Sequence, residues 1–293
     1  MEALVQLLVT SLLLAGVYAL VSVGLTLIFG VMRLVNFAHG EYLMLGMYLA
    51  FWSFSLWRLD PYLAVLTAAP VFLLVGLATY YLVVRPVVPR PHTVQIFTTV
   101  GLSILLQNLA LFLWTGDFRF LRTDYTNIVY KLDGVAVNFP QLAAFGVSVA
   151  ATLGLFAFLK WTWWGMALRA TAQDRQAAVL MGINVDRAYG LAFAVGIGLA
   201  GLAGALIAPL YAVYPTAGLQ FVLVAYVVVV LGGLGSLIGA LIGSLVIALL
   251  DVVGAFLVGI AWKEALYFVA FLLVLLVRPA GLFGQRGAEE FRA

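Results

Sequence analysis

Cysteine is absent from this 293-residue sequence, and charged residues make up only 9% of it. Without cysteine the chain has no disulfide, no thiolate nucleophile and no cysteine-ligated metal. A soluble domain carries roughly 25% charged residues, so this composition excludes a soluble enzyme and a nucleic-acid-binding protein. Because 65% of the residues are hydrophobic, residues 1–293 are predicted to form a single membrane domain surrounded by lipid.

The motifs of common enzyme classes are also missing. No G-x-x-x-x-G-K-[ST] motif is present and none of the three lysines follows a glycine, so the chain has no P-loop for a nucleotide triphosphate. Two histidines, His39 and His92, are too few for a His-rich zinc site. Ser103 in Gly-Leu-Ser has no clear base to activate it. The sequence therefore predicts no catalytic residue, no metal and no cofactor, which leaves transport, channel or scaffold functions.

Long apolar blocks dominate the chain. A helical membrane span needs about 20 mainly apolar residues, and continuous blocks do not fit the alternating strands of a β-barrel. The predicted fold is an all-α polytopic membrane protein with eight or nine transmembrane helices, of which 219–231 is short or re-entrant. The candidate spans are 4–29, 42–57, 62–84, 93–115, 139–161, 190–213, 219–231, 236–258 and 261–277.

Arginine and lysine predict the orientation. Basic residues are concentrated in the loops 85–92 and 160–189 and in the tail after residue 277, which are therefore predicted to be cytoplasmic. The loop 116–138 also holds three basic residues, but single crossings on both sides place it outside. A cytoplasmic tail then requires 219–231 to cross, which gives nine crossings and an external N-terminus. No positive n-region or cleavage site precedes the first apolar stretch, so it is predicted to be a retained span.

The densest polar cluster near a span lies between the first two spans and contains Arg33, Asn36, His39 and Glu41. Two interpretations are open. The cluster can be a polar turn at the cytoplasmic surface, with Asn36 as N-cap of the second span and Glu41 near its positive end. Alternatively, the flanking Gly30 and Gly40 permit a helix break that lines a translocation path, because broken helices at membrane depth occur where they line a cavity or lie within protein.

The cytoplasmic loop 162–189 is predicted to contain a short helix. Its Ala, Leu, Arg and Gln content favours helix, and Gly182 followed by Ile183 fits a Schellman stop. Asp174 and Arg175 adjoin an apolar patch, Ala177–Leu180, that includes Ala178. The helix can rest on lipid or dock a soluble partner, and the residues alone leave both interpretations open.

Three further polar residues lie within predicted spans: Gln107, Asn108 and Asp251. Hydrogen bonding to neighbouring helices is the default for all three, and Asp251 is also a candidate for an aqueous path. Small residues spaced by four, such as Gly196, Ala200 and Gly204, predict close helix packing.

The run Val35–Glu41, followed by Met44-Leu45-Gly46, resembles the N-terminal hallmark of LivH-type permeases of branched-chain amino acid ABC importers. The loop from Gly165 to Ile183 resembles the ATPase-docking loop of that family. Three further segments are similar to other permease motifs: Leu231–Ser236 with Gly239 and Gly243 resembles a late glycine-rich span, Arg278–Gly284 the family's ending, and Pro215–Gly218 the related sugar permeases.

The resemblance implies a multi-pass subunit of the bacterial inner membrane that imports branched-chain or other hydrophobic amino acids. It implies a LivM-like second permease, two cytoplasmic ABC ATPase subunits and an external amino-acid-binding protein as partners. A permease for urea or short amides and an ion-coupled secondary transporter are the alternatives. The resemblance favours a translocation path at Asn36, His39 and Glu41, and Asp251 is added to this path as a polar residue within a span. Arg169, Asp174, Ala177 and Gly182 match the docking-loop pattern and are expected to serve ATPase coupling, together with Arg175 and Ala178 of the same predicted helix.

Overall fold

The computed structural model describes residues 2–126, 128–132, 134–278 and 280–284. Over these residues the chain forms α-helices and one two-stranded antiparallel hairpin. The helices are α1 (Glu2–Met32), α2 (His39–Trp57), α3 (Pro61–Thr79), α4 (His92–Trp114), α5 (Phe139–Trp161), α6 (Trp163–Gln173), α7 (Arg175–Leu180), α8 (Val185–Ile207), α9 (Ala217–Gly232), α10 (Leu237–Val258) and α11 (Lys263–Val277). The hairpin strands are β1 (Val129–Leu132) and β2 (Val135–Asn138), and α3 continues into a π-helical segment, Tyr80–Val84.

Each of the nine predicted spans coincides with a helix, and α5 matches its predicted span at both ends. The predicted end of the span 190–213 is wrong: α8 stops at Ile207, because Pro209 cannot continue a helix. The all-α expectation missed the β1–β2 hairpin in the loop 116–138. Within the described residues, six helical segments are long and apolar enough to cross a membrane, and α9 is a shorter apolar helix.

Helices α1 and α8 form the centre of the bundle. In each of them 89% of the most apolar stretch is buried, whereas the value is 22% for α4 and 28% for α5. Helix α8 packs on α1, α2 and α3, while α1 also packs on α5, α9 and α10. The outer helices therefore present much of their apolar surface to lipid or to another chain.

Small residues allow the central helices to touch through their backbones. A Cβ atom added to Gly204 would strike the carbonyl of Leu43 on α2, and one added to Gly239 would strike the carbonyl of Gly232. By contrast, an added Cβ atom at Gly101 or Gly154 has nothing within 4 Å. The prediction that the small-residue spacing serves close packing is confirmed at the first two positions, within the chain itself.

The structure contains contacts between segments that the nine-crossing topology places on the same side of the membrane. On the predicted outside, Gln6 donates a hydrogen bond from Nε2 to the carbonyl of Ala136, 2.9 Å away. On the predicted cytoplasmic side, Arg85 and Asp186 form an ion pair of 3.0 Å. These contacts agree with the predicted order of loops.

The topology can be tested with single cysteines, since the natural chain has none. Cysteine at position 176 should react with a membrane-impermeant maleimide only from the cytoplasmic side, and cysteine at 130 or 262 only from outside. All three positions are exposed, and the unmodified chain is the blank. Labelling of position 262 from the cytoplasm alone would mean that α9 does not cross and would contradict nine crossings.

Candidate functional site

The polar cluster lies at a break between α1 and α2 that runs back into the bundle. Helix α1 ends at Met32 and Arg33 takes a positive φ of 54°. His39, the first residue of α2, contacts the carbonyl of Val21 through Nε2 at 3.1 Å. Val21 lies eleven residues before Met32, which is about 16 Å along a helix. Residues 33–38 therefore carry the chain back along α1 before α2 begins.

Asn36, His39 and Glu41 have no exposed surface, so the interpretation as a turn at the cytoplasmic surface is wrong. The N-cap prediction for Asn36 is also wrong, because Ala38 occupies that position. Asn36 instead closes the preceding turn by accepting a hydrogen bond from the Ala38 amide at 3.2 Å. A carbonyl only accepts, so the His39–Val21 contact places a hydrogen on Nε2 of His39.

The glycines beside the cluster act differently from the prediction. Gly30 and Gly40 lie inside α1 and α2, and the break occurs at Arg33. A Cβ atom on Gly40 would strike the carbonyl of Gly218 on α9. The lack of a side chain at Gly40 thus lets the N-terminal ends of α2 and α9 touch, which places α9 against the buried polar segment.

Glu41 is bound by two side chains of α4. Oε1 of Glu41 accepts a hydrogen bond from Oγ of Ser103 at 3.0 Å and another from Nε2 of Gln107 at 2.8 Å. Gln107 also donates to Ser103 Oγ at 3.2 Å, so the three side chains form a closed triangle. Within the described residues Oε2 of Glu41 has no hydrogen-bond partner. A carboxyl group without water is costly unless such partners satisfy it.

The polar face of α4 was missed in the sequence, although a signal for it exists. Gln95, Thr99, Ser103 and Gln107 recur every four residues, which places them on one face of a helix. Thr99 donates to the carbonyl of Val35 at 3.1 Å, and Gln95 donates to the carbonyls of Val88 and Arg90. This face of α4 therefore covers residues 33–41 and the turn after α3. Asn108 lies off this face and donates to Ile104 of its own helix.

Asp251 belongs to a different part of the bundle. Its Oδ2 accepts a hydrogen bond from the hydroxyl of Tyr18 at 2.7 Å, and its Oδ1 lies 2.9 Å from Nζ of Lys263. The side chain is buried and joins α1, α10 and α11. The structure thus brings Asn36, His39 and Glu41 together and ties Asp251 to other partners.

The cytoplasmic loop forms two helices, α6 and α7, where the sequence predicted one. Asp174 separates them and caps α7 by accepting from the amides of Gln176 and Ala177 at 2.8 and 3.0 Å. The Schellman stop is confirmed: Gly182 has a φ of 81°, and Ile183 donates its amide hydrogen to the carbonyl of Ala178. Asn184 then caps α8 through a bond to the Arg187 amide. These local bonds set the direction of α7 relative to the bundle.

The outward face of α7 differs from the predicted patch. Ala178 is buried, so its assignment to an exposed docking surface is wrong, because the residue packs α7 onto the bundle. Ala177, Arg169, Asp174, Arg175 and Gly182 are exposed. The large apolar residues that are exposed at the end of α7 are Val179, Leu180 and Met181, with exposed fractions of 56%, 87% and 81%.

Comparison with known proteins gives a consistent result. The family model described as "Branched-chain amino acid transport system / permease component" matches residues 7–275. The chain belongs to this family. It is 31% identical to the high-affinity branched-chain amino acid transport system permease protein BraD of Pseudomonas aeruginosa over 97% of both chains, and 31% identical to LivH of Escherichia coli K12 over 94% of both. The xylose transport system permease protein XylH of Haemophilus influenzae is 38% identical over 42% of this chain and 34% of its own. No solved structure matches the chain.

Membership of this family identifies the chain as a transport permease of the inner membrane, in agreement with its apolar helices. The match covers the broken segment 33–41, the α6–α7 loop and the late glycine-rich span. It favours an ABC permease over an ion-coupled secondary transporter. Over the described part of the permease, no group of three or more His, Cys, Asp or Glu residues could hold a metal ion.

Residues 281–283 pack on the C-terminal end of α9. The amides of Leu282 and Phe283 donate to the carbonyls of Leu231 and Gly232 at 2.8 and 3.0 Å. Gly281 takes a φ of 81° and lies against Gly233. The segment therefore satisfies carbonyls at the C-terminal end of α9 that a helix leaves free. Of the family-like ending Arg278–Gly284, Pro279 lies outside the described residues, as do the predicted tail charges Arg286, Glu289, Glu290 and Arg292.

Proposed function

We propose that this permease moves branched-chain or other hydrophobic amino acids into the cytoplasm as the membrane subunit of an ABC importer. The observation that carries this proposal is the family match over residues 7–275 together with near full-length similarity to BraD and LivH. Substrate selection before translocation falls to an external amino-acid-binding protein.

Energy comes from two separate ATPase subunits in this proposal. The chain has no P-loop, so ATP binds elsewhere. Leu180 and Met181 are more than 80% exposed at the tip of α7, beyond the cytoplasmic ends of the spans in the predicted topology. A short helix with an exposed apolar end fits a hydrophobic groove on a partner protein. The exposed Asp174 and Arg175 at the N-terminal end of α7, with Arg169 of α6, orient the helix on the partner.

A second, LivM-like permease completes the membrane part. Helices α4 and α5 have low burial within this chain, and the open sites at Gly101 and Gly154 leave room for close approach of another helix. These features support a permease pair in which the outer helices of the two chains meet.

The translocation path is proposed to include Asn36, His39 and Glu41. Non-helical backbone at membrane depth is tolerated where it is enclosed by protein or lines a cavity, and residues 33–38 run back along α1 to this depth. Asp251 is proposed to brace α1, α10 and α11 instead, since both of its oxygens have partners.

Substitution in the path tests this assignment. We expect Asn36→Ala and His39→Ala to lower uptake of radiolabelled leucine about tenfold, because each change removes a buried hydrogen bond of the broken segment. Uptake is measured in cells that carry the complete importer, with permease levels checked by immunoblot and with leucine, urea and xylose as competitors. Asn108→Ala is the matched control, since within the described residues Asn108 donates its side-chain hydrogen bond to Ile104 of its own helix. Normal uptake by both path variants would mean that Asn36 and His39 have a structural role only. Inhibition of uptake by urea but not by unlabelled leucine would contradict an amino-acid substrate.

A further inference from the structure

Helix α4 contacts the bundle through limited apolar packing and a row of polar side chains. Only 22% of its most apolar stretch is buried, and its main helix contacts are with α2 and with the segment Tyr80–Val84. Between helices in lipid there is no hydrophobic driving force, so packing and hydrogen bonds decide association. The apolar packing of α4 on this chain is small, and its hydrogen bonds therefore carry a large part of its attachment.

These hydrogen bonds converge on the broken segment. Thr99 binds the carbonyl of Val35 inside that segment, and Ser103 and Gln107 bind Glu41 at its end. Nε2 of Gln107 lies within hydrogen-bonding distance of both Glu41 and Ser103. Ser103 and Gln107 therefore fix one oxygen of Glu41, and Ser103 is nearly fully buried while doing so.

The outer half of α4 is not braced by α3. A cavity of about 630 Å³ separates α4 from α3 and is lined by Leu49 of α2, Phe72 of α3 and Trp114 of α4 among other residues. Its wall is almost entirely apolar. This opening leaves the outer half of α4 without close packing on α3. The rings of Tyr48 and Trp114 stack with 4.1 Å between their centroids, so the outer half of α4 contacts α2 at this point.

We propose that Ser103 and Gln107 are positioning residues for transport: they fix the carboxylate of Glu41 and, with Thr99, latch α4 against the translocation segment. When the Glu41 bonds are released, α4 can move toward the cavity and uncover residues 33–41. This inference rests on the proposed path role of Glu41, whereas the latch itself is a property of the α2–α4 contact and can be measured without transport.

Two substitutions separate the latch from the carboxyl group. Glu41→Gln replaces the carboxyl group by an amide and keeps an oxygen that can accept both hydrogen bonds. The double variant Ser103→Ala/Gln107→Leu keeps the carboxyl group and removes both donors. The distance between α2 and α4 is measured with spin labels on cysteines that replace Leu56 and Phe112, in the complete importer in liposomes. Leu56 and Phe112 are 63% and 85% exposed.

We expect the label distance of Glu41→Gln to equal that of the unchanged permease and the distance in the double variant to shift or to broaden. We also expect the double variant to lower the maximal rate of leucine uptake about tenfold, the effect of losing hydrogen bonds to a charged group. The KM for the loaded binding protein should stay unchanged, because the docking surfaces are untouched. Asn108→Leu, on the next residue of the same helix, should alter neither distance nor rate.

An unchanged label distance and unchanged uptake in the double variant would overturn the proposal, as would an equal effect of Asn108→Leu. If Glu41→Ala leaves uptake normal while the double variant shifts the distance, the path role of Glu41 fails and the positioning role for transport fails with it. If Glu41→Ala abolishes uptake while the double variant behaves like the unchanged permease, the path stands and this inference alone is wrong.

Discussion

Replacing Gly204 by valine is expected to leave almost no folded permease in the membrane. Gly204 lies in α8, and a Cβ atom there would overlap the carbonyl of Leu43 on α2. This neighbour is backbone and cannot rotate away, so α2 and α8 must separate. Overpacking in a core costs about 1–3 kcal/mol or more of folding stability. We expect a loss of at least about 3 kcal/mol here, because the added atom overlaps a main-chain atom. Membrane levels by immunoblot and thermal unfolding in detergent measure the effect.

Gly154→Val is the matched control for this prediction. The substitution is the same and also lies within a helix, but an added Cβ atom at Gly154 has nothing within 4 Å in this chain. A change away from packed contacts usually stays within about 0.5 kcal/mol. Equal levels and equal unfolding temperatures for the two variants would show that α2 and α8 do not meet through Gly204.

Leu180→Lys is expected to remove most of the binding between the permease and its ATPase subunits. Leu180 is 87% exposed at the end of α7, so its replacement leaves the bundle unchanged. A lysine is compatible with a helix C-terminus, where positive charge is favourable, and α7 should therefore persist. Burying an unpaired charge in place of an apolar anchor should cost at least about 2 kcal/mol, roughly thirtyfold in affinity. Recovery of co-expressed ATPase subunits with purified permease measures the loss, together with leucine uptake.

Gln173→Lys provides the same charge change at an exposed position of α6 and should leave ATPase recovery near normal. Gly182→Val is a second variant with a different physical effect. An added Cβ atom at Gly182 meets nothing within 4 Å, but the φ of 81° is strained for valine, so the change redirects α7 without altering its exposed face. Undiminished ATPase recovery with both Leu180→Lys and Gly182→Val, alongside normal uptake, would leave this loop as a helix that rests on lipid.

Local sequence specified most helix positions and several helix ends. The apolar length of residues 139–161 sufficed for α5, and Gly182 with Ile183 sufficed for the stop of α7, because a Schellman motif depends only on neighbouring residues. The end of α8 is also predictable from local sequence, because Pro209 cannot continue a helix. The predicted end at residue 213 ignored this proline. The spacing of Gln95, Thr99, Ser103 and Gln107 also marked a polar helix face.

The tertiary structure alone decided which groups meet. Glu41 is 62 residues from Ser103 and 66 from Gln107, and Asp251 finds Tyr18, 233 residues earlier. No local rule pairs such residues. The buried orientation of Ala178 likewise depends on how α7 lies on the bundle. In a bilayer the faces toward lipid and toward protein are both apolar, so hydrophobic pattern reveals that a helix spans but does not reveal which side of it contacts its neighbours.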